Sequence, residues 1–558
     1  MCFIMKKIFL VFILSLLCSF FVHAIDFEID GIRYRGQDTI ASVIGVTSKD
    51  ITSVTIDETI SYRNNDYKVT SIGVIAFSGC SNLSSVSLPE SITIIDDGAF
   101  GNCTSLNYIE LPQNLTTLGK SAFQGCKSLD NLFIPKDVSY IGVLAFYECD
   151  NLAHLNVDEL NNYFCSDDGM LFTKDKEEIL FFPMGKRFDE SLLYRVKRVG
   201  PFTFAGHDEI VGTLTIPINI DFLGESAFES CLNITELIIS DCNNIIEVDR
   251  NYIYNCPITK IYYGRERKYT SHMYENNYPN TRYNTVNTIV FGDSIKRIIA
   301  NEFRDCISIN SVVFGEGLET IQDFAFTGCI GLRSIILPQN LKRIERSAFW
   351  KSYLTSIIIP NNVEFIGTNS FSQCPLLKSV IIKDAEATIE EGAFLGDNNL
   401  TDLDLGNRIT SIGVYAFSGC KLLKTITFPN TLTQIGLRAF WSCSSLDTIF
   451  SKIENPFSFP KDVFPNNTYS SAILYVPVGT QEKYWSTYYW ASFNTIIEKN
   501  YNEIKGDVNN DGEINIADIN AVIDQILSAH FTNSGDVNND GEVNIADINT
   551  IIDIILSS

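Results

Sequence analysis

Two short runs near the C-terminus hold the residues best suited to a specific chemistry. The first reads Asp507-Val508-Asn509-Asn510-Asp511-Gly512-Glu513-Ile514-Asn515-Ile516-Ala517-Asp518, and it recurs as Asp536 through Asp547. A calcium loop needs oxygen-bearing side chains at positions 1, 3, 5, 9 and 12, a backbone carbonyl at 7, and glycine at 6 for the sharp turn. The first candidate set is Asp507, Asn509, Asp511, Asn515, Asp518 and the carbonyl of Glu513. The second is Asp536, Asn538, Asp540, Asn544, Asp547 and the carbonyl of Glu542. Hard oxygens at this spacing suit calcium, so two bound Ca2+ ions are expected. Position 12 is aspartate where the usual loop carries glutamate.

Each loop must be held in place by the residues behind it. Ile519, Val522, Ile523, Ile526 and Leu527 come after the first, and Ile548, Ile551, Ile552, Ile555 and Leu556 after the second. Both series have the spacing of an amphipathic helix, which predicts two helices burying these faces against each other. Residues 504–558 carry ten acidic side chains and one lysine. Without a cation those carboxylates repel, so folding of the segment is expected to couple to metal binding. A duplicated loop-then-helix, with no helix before the first loop, resembles a type I dockerin. The resemblance implies docking of the carrier onto a cohesin-like domain. In cellulosomal members a hydroxyl pair commonly fills loop positions 10 and 11, with basic residues on the following helix. Here those places hold Ile516-Ala517 and Ile545-Ala546, then Ile523-Asp524 and Ile552-Asp553. That departure tells against a standard cellulosomal cohesin and leaves calcium binding untouched.

The rest of the chain is organised by a 23-residue beat, seen in Phe77, Phe100, Phe123 and Phe146, and again in Phe371, Phe394, Phe417 and Phe440. Cysteine stands three residues behind each of these except Phe394, whose slot is filled by Asp397; Ser352 likewise replaces cysteine after Phe349. A fixed period of this length means stacked coils that bury their apolar faces against neighbours. The stretch L-x-x-I-x-L in each coil predicts a short strand with alternate residues inward. The expected fold is a leucine-rich-repeat solenoid of short parallel strands, followed by a small all-α domain. Neighbouring rungs about 4.8 Å apart place the cysteines in one column, read as small buried thiols. Cys165, Cys242 and Cys256 lie off that column, and pairing among them stays open. The residues L-x-x-I-x-L-P and I-G-x-x-A-F-x-x-C resemble the BspA-like (treponemal-type) leucine-rich repeats. The resemblance implies a bacterial surface or secreted protein, and some members of that family bind extracellular-matrix proteins.

Around the beat, residues 25–69 predict a β cap, with a hairpin turn at Asp30-Gly31. Regular coils span 70–450, broken by an inserted hairpin at 158–197 and by a tyrosine- and arginine-rich stretch at 257–287. Residues 451–500 read as a closing cap with a last strand at Leu474–Pro477 and an aromatic helix, and 504–558 as the dockerin domain. On the outward strand face Val313, Ile336, Ile358 and Ile381 are expected in register on successive coils, an exposed stripe beside a serine column. Exposed apolar runs often mark partner sites.

Lys6-Lys7 precede an apolar run ending in Val22-His23-Ala24, so residues 1–24 read as a signal peptide. No later stretch approaches a membrane span. A formal charge of −25 leaves no cationic excess to displace phosphate counterions, which argues against nucleic acid. Five histidines and no G-x-S-x-G, H-E-x-x-H or Walker motif argue against an enzyme. The expected function is a secreted or cell-surface binding or adhesion protein that presents its repeat face to a protein or glycan. Two other readings stand beside it: a dockerin-borne polysaccharide-acting enzyme, and a passive spacer.

Overall fold

The computed structural model describes residues 24–249, 251–270, 283–501, 506–509, 513–528, 534–538, 540 and 542–557. The expected signal peptide (Ala24 apart), the middle of the tyrosine-rich stretch and the candidate ligand Asp511 lie outside the described residues. The chain divides into two compact units, Met1–Leu341 and Lys342–Ser558.

The first unit opens with antiparallel strands. Ile25–Ile29 pairs Ile32–Gln37 through Asp30 and Gly31, both at positive φ (49° and 77°), the mirror-image turn that suits a two-residue hairpin. Ile40–Val46 then pairs in parallel with Asn65–Ile72. From Asn65–Ile72 a parallel ladder runs through Ile94–Ile95, Thr117–Leu118 and Tyr140–Ile141. Within the first irregular stretch Phe164–Asp167 and Met170–Thr173 form a hairpin. A third strand, Glu178–Phe181, pairs antiparallel to this hairpin and parallel to Arg198–Val199. The insertion therefore supplies a rung of the ladder.

Stacking makes the coils cohere. Phe77 and Phe100 lie 5.3 Å apart at 2°, and Phe100 and Phe123 lie 5.4 Å apart at 6°. Backbone bonds set this spacing, since Phe77 N donates to Ala99 O at 2.8 Å and Phe100 N to Ala122 O at 2.8 Å. Rings carried on successive hydrogen-bonded rungs cannot tilt away from one another. In the second unit the same file runs through Phe349, Phe371, Phe394, Phe417, Phe440 and Phe464, with neighbouring centroids 5.2–5.4 Å apart.

The cysteines among the described residues are free thiols, as the column reading expects. Thiols within the column bond back by one coil, as where Cys103 Sγ donates to Phe77 O at 3.2 Å, Cys126 to Phe100 O at 3.2 Å and Cys443 to Phe417 O at 3.2 Å. Cys256 belongs to this column, contrary to the sequence reading, because its thiol is buried and donates to Phe228 O at 2.9 Å. Cys165 and Cys242 are half-buried and unpaired. Corners before the cysteines turn through left-handed backbone, as at Gly419 (φ 83°), where glycine carries no Cβ penalty.

The closing region differs from expectation. Ile473–Pro477 is followed by a further parallel strand, Thr495–Lys499. The aromatic helix shortens to Gln481–Ser486 plus a single 3-10 turn, Trp490–Ser492. Tyr484, Trp490 and Phe493 are buried there, whereas Trp485 and Tyr488 are exposed.

Candidate functional site

The terminal loops are closed by the aspartates that start each helix. Asn515 precedes the helix Ile516–Ser528, and its Oδ1 accepts from Ala517 N at 2.8 Å. Asp518 returns the bond, its Oδ2 accepting from Asn515 N at 2.9 Å. This is a capping box with aspartate in the place usually held by glutamate. The other oxygen reaches across the loop, where Asp518 Oδ1 accepts from Val508 N at 2.6 Å and Asn509 N at 3.1 Å. The second loop repeats the device. Asp547 Oδ2 accepts from Asn544 N at 2.8 Å, its Oδ1 accepts from Asn538 N at 3.0 Å, and Asn544 Oδ1 accepts from Ala546 N at 2.8 Å. An aspartate arm suits this double duty because one carboxylate must reach both the cap and the loop entrance.

Within the second loop the remaining candidates converge on one backbone amide. Asp540 N donates to Asp536 Oδ1 at 3.0 Å and to Asn538 Oδ1 at 2.9 Å. Asp507, Asp518 and Asp547 are buried, Asn515, Asp536, Asn538 and Asn544 are half-buried, and Asn509, Asp540, Glu513 and Glu542 are exposed. Among the described residues no three carboxylate, histidine or cysteine groups gather round one point. The candidate set also draws on amide and carbonyl oxygens and on Asp511. The donors present are all oxygens, and the partners found for the buried Asp518 and Asp547 carboxylates are backbone amides, so the residues fit a hard cation.

The two helices meet through Val522 and Ile551, both fully buried, with Val508 and Val537 from the loops beside them. Leu527 and Leu556, expected in that seam, are each 79% exposed. A core this small is filled by loop valines before the last helical turn is reached. Ile516 (73%) and Ile545 (72%) also stand in solvent, while Ala517 and Ala546 are half-buried.

The outward strand face carries the other candidates. In the first unit Val313 is 51% and Ile336 is 87% exposed. Val313 pairs in register with Val290. Ile336 lies in no strand, so its coil lacks the ladder pairing that the expected stripe requires. In the second unit Ile358 pairs with Ile381 in register, and both are exposed. The next residue in that column is Asp404, which ends the apolar run.

Residues 49–168, 191–281, 271–401 and 387–505 match the family model described as a BspA type leucine rich repeat region. The chain belongs to the BspA-type leucine-rich-repeat family. Residues 505–556 match the type I dockerin domain. The unmatched segment 169–190 falls inside the insertion that adds a rung. No curated protein matches the chain. Among solved structures it is similar to a leucine-rich repeat protein from Bacteroides ovatus, at 22% identity over 85% of this chain and 99% of that one (TM-score 0.33). A leucine-rich repeat protein from Eubacterium ventriosum shares 21% identity over 59% of this chain and 95% of that one (TM-score 0.41). A leucine rich cell surface protein from Faecalibacterium prausnitzii shares 18% identity over 85% and 98% (TM-score 0.24).

This BspA-type chain thus joins a repeat solenoid to a dockerin. Type I dockerins bind calcium and imply a cohesin partner. Proteins of both kinds are typically extracellular or at the cell surface. Among the described residues no helix is long and apolar enough to cross a membrane. Sequence reasoning missed part of the outward column. Ile238, Tyr262 and Val290 extend it upstream of Val313, and the broken period there hid their register.

Proposed function

We propose that this protein is a secreted, surface-attached bacterial binding protein. Its repeat face holds a protein or glycan, and its dockerin, closed by two calcium ions, attaches it to a cohesin-like receptor. The observation that carries the reading is the duplicated capping box, in which Asp518 and Asp547 draw each loop shut around oxygen donors while Ile516 and Ile545 stay in solvent. In each loop the ligands are Asp507 or Asp536 at the first position, the asparagines at the third and ninth, Asp511 or Asp540 at the fifth, the carbonyl of Glu513 or Glu542, and the closing aspartate. Ile516, Ala517, Ile545 and Ala546 face the receptor. Val313, Ile336, Ile358 and Ile381 contribute apolar contact on the repeat face, which does no chemistry on what it holds.

The full chain tests this. Retention on the producer's own cell-envelope fraction is expected to require calcium and to disappear with EDTA. Ile516→Asp combined with Ile545→Asp should lose retention at saturating calcium. Retention indifferent to both treatments removes the docking role.

A further inference from the structure

The first unit's five-stranded parallel sheet (Gly212–Ile216, Ile234–Ile239, Lys260–Tyr263, Thr288–Phe291 and Ser311–Val313) has a hollow on its outward side. The hollow measures about 290 Å³ and is lined by Glu236, Leu237, Ile238, Lys260 and Tyr262. It lies on the column Thr215, Ile238, Tyr262, Val290 and Val313, whose members pair in register. We propose that this hollow is a subsite for one ring of a neutral glycan; the inference rests on reading the repeat face as the binding face.

Tyr262 is fixed in place. Its hydroxyl donates to Asp241, 2.8 Å from either carboxylate oxygen. Burial, then the Asp241 bond, push the phenol up to about 12, so it stays neutral. Room for the pair is kept by glycine, since a Cβ on Gly292 would stand 2.4 Å from Asp241 Oδ1 and 2.8 Å from Tyr262 Oη. With its hydroxyl engaged, Tyr262 offers the hollow chiefly a ring.

The rim supplies the polar half. Lys260 Nζ lies 3.6 Å from Glu236 Oε2, and the two side chains are 49% and 38% exposed. A loose, solvated pair like this offers a donor and an acceptor side by side. An apolar peptide side chain filling the hollow would strip water from both charges and return no hydrogen bond. A sugar ring places C–H groups on the aromatic surface and hydroxyls on both charges at once. The pair is neutral in sum, and a chain of net −25 disfavours an anionic glycan. The volume lies near the lower end of small-molecule pockets, about 300–1,000 Å³, which suits a single ring.

Saturation-transfer NMR on the full chain tests this with cellobiose, maltotriose, lactose and mannobiose, and with polygalacturonate and a leucine-rich hexapeptide as the contrasting arms. At least one neutral saccharide should receive saturation. Its affinity should fall at least tenfold in Tyr262→Ala and several-fold in Lys260→Met, with melting curves confirming that both variants fold. No transfer to any neutral saccharide, transfer unchanged in Tyr262→Ala and Lys260→Met, or preference for the peptide or the polyanion overturns the subsite. Binding of the full chain to arrayed proteins and glycans is read in parallel, with and without Ile358→Asp combined with Ile381→Asp. Array binding that those two substitutions abolish, beside a negative sugar result, marks failure of the subsite alone, and no array binding at all marks failure of the repeat-face reading.

Discussion

Both ends of this chain are built by repetition, yet they bury the same side chain in opposite ways. In the solenoid Asp397 takes a cysteine's slot, wholly buried, with one oxygen accepting from Cys374 N at 2.8 Å and the other without a hydrogen-bond partner. Burial holds its carboxyl well above the usual carboxylate range, because the charged form is disfavoured among the thiols. In the tail Asp518 is equally buried, but backbone amides supply three hydrogen bonds to its carboxylate. Neutral groups can be stacked on their like, as the phenylalanines and thiols are. Charged groups repeated close together need donors and a cation, and this separates the two regions.

The largest test of that contrast is chelation. EDTA should abolish the helical signal of Ile516–Ser528 and Ile545–Ser557 and open the tail to protease, as the proposed coupling of its folding to metal binding requires. The β signal and the solenoid's thermal transition should not move. Circular dichroism with limited proteolysis reads both, and a tail that keeps its helices in EDTA breaks the comparison.

Next in size is the phenylalanine file. Phe394→Ala removes a fully buried ring stacked 5.3 Å from Phe371 and 5.2 Å from Phe417. The expected loss is about 3–5 kcal/mol by urea unfolding, with tail helicity and calcium response unchanged.

Asp397 sharpens the comparison through pH. Its proton is held more tightly folded than unfolded, so its contribution to stability is complete below the unfolded carboxylate's pKa and is lost as pH rises through the folded one. Asp397→Cys, which restores the column, should stabilise by about 1–3 kcal/mol near neutrality, the scale of an unsatisfied buried polar group. The gain should shrink as the pH falls toward about 4. Thermal melts across that range decide it.

Legibility in the sequence divides along the same line. The beat of Phe77, Phe100 and Phe123 was legible because ladder bonds force equal rungs to superpose. Cys256 was lost from its column because Tyr252 and Ile253 stand where other coils have alanine and phenylalanine. Ile336 could be placed on a face by spacing, but spacing says nothing of whether that coil pairs as a strand. The oxygen donors of the terminal loops were visible as a pattern. The double use of Asp518, cap and loop closure together, is a matter of arm length that appears only in the folded chain. Tyr262 was legible only as one of the tyrosines of the 257–287 stretch, because its place on the outward column depends on Asp241 and Gly292, brought beside it by rungs of unequal length.

The smallest expected effect asks whether the thiols do more than fill space. Cys126 Sγ donates to Phe100 O at 3.2 Å, and burial pushes the thiol's pKa up, so it remains protonated and able to donate. Without that bond the carbonyl would lose a side-chain partner in a dry interior. Cys126→Ala should therefore cost about 1 kcal/mol, the net worth of one such bond plus a small void. Cys126→Ser keeps a donor, and Ser352 already occupies the same slot, with its Oγ 3.3 Å from Cys374 Sγ. Serine should thus retain most of the stability that alanine loses. Equal losses in the two variants, measured by urea unfolding, would make the column a matter of volume alone, and the neutral side of the comparison would then rest on the phenylalanines.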